Sequence, residues 1–256
     1  MDHGHAFTWL SLIPLIKEIP SAFHHMVGSV TVLLILTTLA LMGYRGLKKR
    51  ENPLFPPSRF TLVGIWDIIV EKLGNLVISV IGPAGKPYIP LIGTIFIYIL
   101  TSNLLGIIPG SITSTTFINT NYACAITIFV YYNYLGIREH GWGYLKHFTG
   151  PIIVLAPLFI VIEFMGHMIR PLALSLRLFG NMTGDHIVLL VFNEIGMNIY
   201  NAAQSIHPIL GYISAVIPTL ILIPFFALGL FVSFIQAFIF TLLSTVYIAF
   251  AISHEH

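Results

Sequence analysis

The sequence is poor in charge. Only 9% of its 256 residues are Asp, Glu, Lys or Arg, against about a quarter in a soluble domain. Its 12 basic and 10 acidic side chains cannot clothe a globule of this size in water. Cysteine is almost missing. Cys124 stands alone, which excludes a disulfide framework within the chain and any multi-cysteine metal site. Charge of one sign is missing too: the formal net charge is +2 and no domain is basic, so nucleic acid is not expected as a partner. The amino end lacks a targeting pattern, because Asp2 and His3 precede the apolar residues 7–16 where a signal peptide needs a basic start. Residues 1–25 read as an external, partly interfacial tail. What is abundant is apolar surface, with 56% hydrophobic residues and a mean hydropathy of +0.89. The 13% aromatic content excludes disorder. The class that remains is an all-α, polytopic integral membrane protein, with spans of about 20 residues each.

Apolar runs place these spans. Residues 26–44 form the first, stopped by Arg45, Lys48, Lys49 and Arg50 and then Pro53, Pro56 and Pro57. Residues 60–81, 88–108 and 122–137 follow, and two long stretches occupy 151–192 and 209–252. The distribution of basic residues tests the second run. If 60–81 crosses, the loops bearing Lys86, Arg138 and Lys146 fall on the outside. If it lies along the interface, these residues join Arg45, Lys48, Lys49, Arg50 and Arg59 inside, and only Lys17 is outside. Asp67, Glu71, Asn75 and Ser79, spaced by four, share one helical face beside Trp66. An interfacial amphipathic helix is therefore expected, with five crossings, an outside N-terminus and a cytoplasmic C-terminus.

The two long stretches exceed a simple span. A helix over 158–192 is about 52 Å long at about 1.5 Å per residue, against a hydrocarbon core of about 30 Å. Two long, bent, strongly tilted helices are expected, pressed lengthwise against a large curved partner. The first carries a polar stripe. With Glu163 at zero, Glu163, His167, Arg170, Arg177, Asn181 and Asp185 fall within a sector of about 80° at about 100° per residue. His186 lies off it. Ionisable groups in a span cost at least about 2.5–3.5 kcal/mol each on insertion scales and so face a partner or water. Glu163 can pair with His167 or Arg170. Arg177 has no acidic residue at i±3 or i±4, so its counter-ion is expected on another subunit.

On the second long helix Gly229, Ser233, Ala237, Thr241 and Thr245 recur every four residues. This ribbon allows close helix approach, within the chain or onto a partner. Gln236 lies at about the depth of Arg177, where a satisfied interhelical hydrogen bond is the plain reading. No cofactor or metal is expected. Gly82 and Gly85 make no phosphate loop, no serine stands in a GxSxG frame, and His3/His5, His24/His25 and His254/His256 lack the spacing of a membrane metalloenzyme.

The run Arg177-Leu178-Phe179-Gly180-Asn181-Met182 resembles the a subunit of the F-type ATP synthase membrane sector. The likeness extends to Glu163, to Gln236-Ala237-Phe238-Ile239-Phe240 and to Asn103 through Pro109. It is strong in the C-terminal half and mainly one of layout in the N-terminal half. It implies a proton-translocating stator subunit without a catalytic site of its own, partnered by a c-ring, the peripheral-stalk b subunits and lipid in a bacterial inner membrane. Arg177 would correspond to the essential arginine facing the ring carboxylate. Glu163 would line the cytoplasmic half-channel, supported by His167 and Arg170. Asn181, Asp185, His186 and Gln236 would shape the outer one. Two departures stand out. Many members have Gly-Glu or Gly-His where this chain has Asp185-His186, and His or Glu where Gly229 stands, so Asp185 is the candidate to replace a missing carboxylate. The competing readings are a secondary cation transporter, which needs a self-contained ion site usually built from repeats and broken helices, and an intramembrane enzyme. No 20–50-residue repeat is visible and Arg177 has no internal partner, while the scattered histidines argue against the enzyme.

Overall fold

A computed structural model describes residues 23–48, 61–108, 111, 113–141, 143–146 and 156–253. Six main helices follow in order: α1 (His24–Lys48), α2 (Leu62–Ile81), α3 (Ile89–Ile107), α4 (Ile118–His140), α5 (Ala156–Ile206) and α6 (Pro208–Ile252). Short helical segments at Pro83–Tyr88, Ser114–Thr116 and Gly143–Lys146 complete the set, with no strand among the described residues. The tail 1–22, the stop at Lys49 and Arg50 with its prolines, Arg59, Pro109-Gly110, residues 151–155 and the terminal His254 and His256 lie outside the described residues.

Each helix shows how an apolar environment is met. In α1 the hydroxyls of Ser29, Thr31, Thr37 and Thr38 each donate to the carbonyl four residues back, at 2.9, 2.8, 2.7 and 2.8 Å. That is the local way to satisfy a hydroxyl where water is scarce. Leu33, Leu34, Leu41 and Tyr44 on the same helix are exposed, as lipid-facing side chains are. α2 begins at Thr61, whose side chain accepts from the Gly64 N–H at 3.3 Å. It ends at Gly82, whose φ of 86° needs a residue without Cβ. Its Val63, Leu73 and Val77 are buried, whereas Asp67, Glu71, Asn75 and Ser79 are all exposed. The spacing by four thus corresponds to one outward face.

Four described stretches are long and apolar enough to cross a membrane: 25–48, 83–107, 157–206 and 220–252. The chain is an all-α polytopic membrane protein. The stretch 122–137, expected as a further crossing, is helical from Ile118 to His140 but is not among these four. Asn119, Asn121, Asn133, Arg138 and Glu139 make it the more polar helix.

The two terminal helices dominate the architecture. α5 has 51 residues and α6 has 45, so at about 1.5 Å per residue they run about 76 and 67 Å. α5 carries on beyond residue 192 through Asn193 and Glu194 to Ile206, where the apolar pattern alone gave no reason to continue. The two are antiparallel over most of their length. Arg170 lies over Tyr247, Asn181 bonds Gln236, Phe192 stacks on Phe225 at 4.5 Å and Gly196 abuts Pro218. The core of α3, α4, α5 and α6 is built on Ile99, Ile128, Leu178, Phe240 and Ile248, none more than 1% exposed. The small-residue ribbon of α6 is buried inside the chain. Asn103 Nδ2 of α3 donates to the Ser233 carbonyl at 3.4 Å across that seam, and Ile107 lies beside Gly229. Of the two readings of the ribbon, packing within the chain is the one realised.

Candidate functional site

Two cavities lie along α5, one on either side of Arg177 in the chain. The first, about 220 Å³, is lined by Glu163, His167 and Arg170 of α5, Tyr132 and His140 of α4, Tyr144 and Tyr247 among others. The stripe residues face it because they are spaced by three and four. Arg170 Nη2 stands 3.9 Å from Glu163 Oε1, and its guanidinium lies 5.6 Å from the centre of the Tyr247 ring. Both charged side chains remain more than a third exposed, so this is a loose, solvent-screened pair worth under about 1 kcal/mol. His167 is only 5% exposed. Its Nε2 is 2.8 Å from Asn133 Oδ1, which also accepts from the Tyr144 hydroxyl at 3.3 Å. Tyr144 reaches this point because α4 ends in Gly141 at a φ of 56°, which turns the chain back, and because Gly136 leaves room for the ring. A Cβ at position 136 would lie 2.4 Å from a Tyr144 ring carbon. Burial pushes the Tyr144 phenol up against the opposing pull of Arg170, so it remains a protonated donor.

The second cavity, about 90 Å³, begins twelve residues beyond Arg170 along α5, at Met182. It is lined by Met182, Asp185, His186 and Leu189 of α5, Gly106 and Ile107 of α3, and Phe225 and Gly229 of α6. Asp185 Oδ2 and His186 Nε2 are buried and make no hydrogen bond to any described residue. A layer of buried polar residues borders this end. Ser114 Oγ donates to Ser102 Oγ at 3.1 Å, Asn121 Nδ2 donates to the Thr115 carbonyl at 2.7 Å, and Thr113 and Met182 both crowd Gly106. Although His186 falls off the polar stripe, it borders the same cavity as Asp185.

Between the cavities stands Arg177. It is exposed, beside the buried Leu174, Ser175 and Leu178, and it has no ion pair with any described residue. By helix rise it is about 21 Å from Glu163 and about 12 Å from Asp185. One turn on, Asn181 Nδ2 donates to Gln236 Oε1 at 2.7 Å. Gln236 is 3% exposed, so the plain reading of this glutamine, a satisfied interhelical bond, is realised, with its partner Asn181 one turn from Arg177. Among the described residues no three His, Cys, Asp or Glu side chains gather as a metal site would require.

The structure thus gathers the sequence-predicted residues into two groups, Glu163/His167/Arg170 and Asp185/His186, with Arg177, Asn181 and Gln236 between. Asn133, Tyr132, Tyr144 and Tyr247 were not found by sequence reasoning. They come from three different elements and share no spacing with the stripe. The aromatic run Tyr131-Tyr132-Asn133-Tyr134 was the one available signal, since an Asn there needs a partner in an apolar helix.

The chain's relatives agree with the motif. Residues 26–249 match the family described as ATP synthase A chain. ATP synthase subunit a of Bdellovibrio bacteriovorus is 40% identical over 256 residues, covering 98% of this chain and all of that protein. ATP synthase subunit a 1 of Syntrophotalea carbinolica is 40% identical over 232 residues, covering 91% and 87%. ATP synthase subunit a of Geobacter sulfurreducens is 42% identical over 190 residues, 74% of each chain. With the arginine motif on α5, the paired glutamine on α6 and a match that spans nearly the whole chain, this protein belongs to the ATP synthase A chain family, the a subunit of the F-type ATP synthase membrane sector.

Proposed function

We propose that the chain is the proton-translocating stator subunit of its ATP synthase, working beside a rotating c-ring and held by peripheral-stalk b subunits. The observation that carries this reading is the order along α5: a polar cavity, an exposed arginine with no ion pair among the described residues, and a second, mostly apolar cavity that holds Asp185 and His186. A permanently charged guanidinium in an apolar surface requires an anion from outside the chain, and a ring carboxylate meets that need. The first cavity, with Glu163, serves as the cytoplasmic half-channel. The second, with Asp185 and His186, serves as the outer one, shaped by Asn181 and Gln236. In this arrangement the N-terminus is outside, the C-terminus is cytoplasmic, and α2 lies along the inner face of a bacterial inner membrane.

The chemistry follows from position. A guanidinium within about 4–6 Å favours the ionised form of a carboxyl, so a ring carboxyl arriving at Arg177 releases its proton to the exit side. After passing Arg177 it is reprotonated from the other cavity and enters lipid neutral. The same positive charge bars protons from moving directly between cavities. The ring turns because only a neutral site is stable in hydrocarbon.

The test is ATP-driven proton pumping in inverted vesicles, alongside a check of complex assembly. Arg177→Ala should leave the complex assembled, abolish pumping and raise passive proton leak. Substantial pumping by the assembled Arg177→Ala complex overturns the mechanism.

A further inference from the structure

A third cavity, about 260 Å³, lies away from α5, between the end of α1 and the start of α2. Ala40, Gly43, Tyr44 and Leu47 of α1 face Val63 and Trp66 of α2 across it, and Asp67 is the one charged residue of the lining. Two glycines let the helices touch here. A Cβ at position 43 would lie 3.0 Å from Trp66 Cδ1, and one at position 46 would lie 2.9 Å from Val63 Cγ2. Beside these contacts the cleft is open, with Tyr44 and Leu47 exposed. The same face of α1 continues by helical period through Thr37, Leu33 and Val30, all exposed and none charged.

At the helix end the charge changes. Arg45 and Lys48 occupy the last turn of α1 and are exposed, and Lys49 and Arg50 follow in the sequence. Four basic residues in six positions exceed what a helix C-terminus needs, because its dipole amounts to about half a negative charge. A basic cluster directly on the cytoplasmic side of a span attracts anionic headgroups. Trp66 and Tyr44 mark the same depth, since amphipathic rings gather where hydrocarbon gives way to headgroups. Ala40 lies about 7.5 Å further from that end than Arg45 by helix rise, so the cleft runs from headgroup level into hydrocarbon. A partner helix suits this face less well. Close packing in lipid asks for small residues along the contact, and the face carries Val30, Leu33, Tyr44 and Leu47.

We propose that the α1–α2 cleft binds one anionic phospholipid of the inner leaflet, its phosphate on Arg45 and Lys48 and an acyl chain in the cleft and along the Leu33 face of α1. This rests on the reading that places the end of α1 and the whole of α2 at the cytoplasmic face. Asp67 in the lining disfavours a headgroup with more than one negative charge, so the lipid class is that of phosphatidylglycerol. The bound lipid fills the space beside Trp66 and holds α2 against α1.

The experiment uses the intact ATP synthase in phosphatidylcholine vesicles that contain a phosphatidylglycerol with a photoactivatable diazirine in its acyl chain. After illumination, adducts should map to peptides spanning 40–47 and 63–67. Unlabelled phosphatidylglycerol should suppress them several-fold better than added phosphatidylcholine. Arg45→Gln with Lys48→Gln should lower them by at least about fivefold, whereas Arg45→Lys should keep them. Ala40→Trp, which fills the cleft and leaves the charges in place, should lower them as well. Equal suppression by phosphatidylcholine in the unaltered complex, or undiminished adducts in either the double variant or Ala40→Trp, overturns the proposal. So does a photoreactive benzoylphenylalanine at position 40 that links to another subunit, since a protein then covers the cleft. Cysteine labelling at Lys48 and Lys86 separates the two failures. If the two sites react from opposite sides, the topology falls. If they react from one side while the adducts show no preference for phosphatidylglycerol, only the lipid site falls.

Discussion

Asn181 on α5 and Gln236 on α6 are joined side chain to side chain by a 2.7 Å hydrogen bond, one turn after Arg177. The bond ties the two long helices together at the level where the chain presents its unpaired charge. It also fixes the Gln236 amide, because Oε1 is committed to Asn181 and Nε2 is left on the other side. The pair is thus a clasp that holds the surface around Arg177 in one shape, while the arginine itself makes no ion pair with any described residue.

A clasp of this kind is more costly to break on one side than on both. Gln236→Leu leaves the Asn181 amide without its partner and should destabilise the a subunit by about 1–3 kcal/mol. Adding Asn181→Leu replaces the whole pair by apolar contact and should recover part of the loss. Thermal dissociation of the purified complex in detergent, compared across the two single variants and the double variant, measures the coupling. Equal and additive losses would remove the clasp as an explanation for this pairing.

The second cavity makes a prediction about where a carboxylate is needed. Asp185→Asn should leave the complex assembled and slow proton-driven ATP synthesis by at least about tenfold, since loss of a proton-transferring group costs about 10²–10⁴ in rate. Gly229 is on the opposite wall, and a Cβ there meets only Ile107 at an ordinary 3.9 Å. Gly229→Glu in the Asp185→Asn background therefore returns a carboxylate to the same cavity from α6 and should restore part of the synthesis rate. A normal rate in Asp185→Asn alone would reduce Asp185 to a structural role.

Much of this arrangement was legible in the sequence, and the reasons are local. The α5 stripe is a matter of helical period, so Glu163, His167, Arg170 and Asp185 could be placed on one face before any tertiary contact was known. The apolar run 60–81 matches α2 to within two residues, and the structure adds the Thr61 cap and the Gly82 stop that end it. The far end of α5 was not legible. Asn193 and Glu194 end the apolar run, but Gly196 continues the helix against Pro218 of α6, and that support comes from the partner helix. The Asn133–His167–Tyr144 cluster was out of reach for the same reason. Its members lie on α4, α5 and the turn between, and only packing brings them to one oxygen.

The orientation of α2 is open to a direct measurement. Its exposed face carries Asp67, Glu71, Asn75 and Ser79, which suits a helix lying on the inner surface. Lys48 before it and Lys86 after it should then be on the same side. With Cys124, the single cysteine, replaced by alanine, Lys48→Cys and Lys86→Cys should both react with a membrane-impermeant maleimide in inverted vesicles and both resist it in intact cells. Labelling of the two sites from opposite sides would make α2 a crossing.

Arg177 also predicts its own most conservative replacement. Lysine keeps the charge and roughly the reach, so if charge alone mattered, Arg177→Lys would pump. The geometry argues otherwise. Arg177 is exposed on α5 with no ion pair to any described residue, so its hydrogen-bonding capacity is open to a partner. A planar guanidinium can meet a carboxylate with two parallel N–H donors, hold it through a range of ring positions and never lose its proton. An ammonium is a compact point charge that binds from one position and gives up its proton when desolvated. A neutral lysine at this site would stop barring direct proton movement between the cavities. Arg177→Lys should therefore assemble normally and lose at least about nine-tenths of ATP-driven pumping, less than the roughly 10²–10³-fold loss on removing a charge-stabilising donor outright, because the charge itself is kept in part. Its passive leak should rise with pH as the amine deprotonates, whereas that of Arg177→Ala should not. Pumping near the wild-type rate in assembled Arg177→Lys complexes would mean that a single positive charge is sufficient and that the two-donor geometry plays no part.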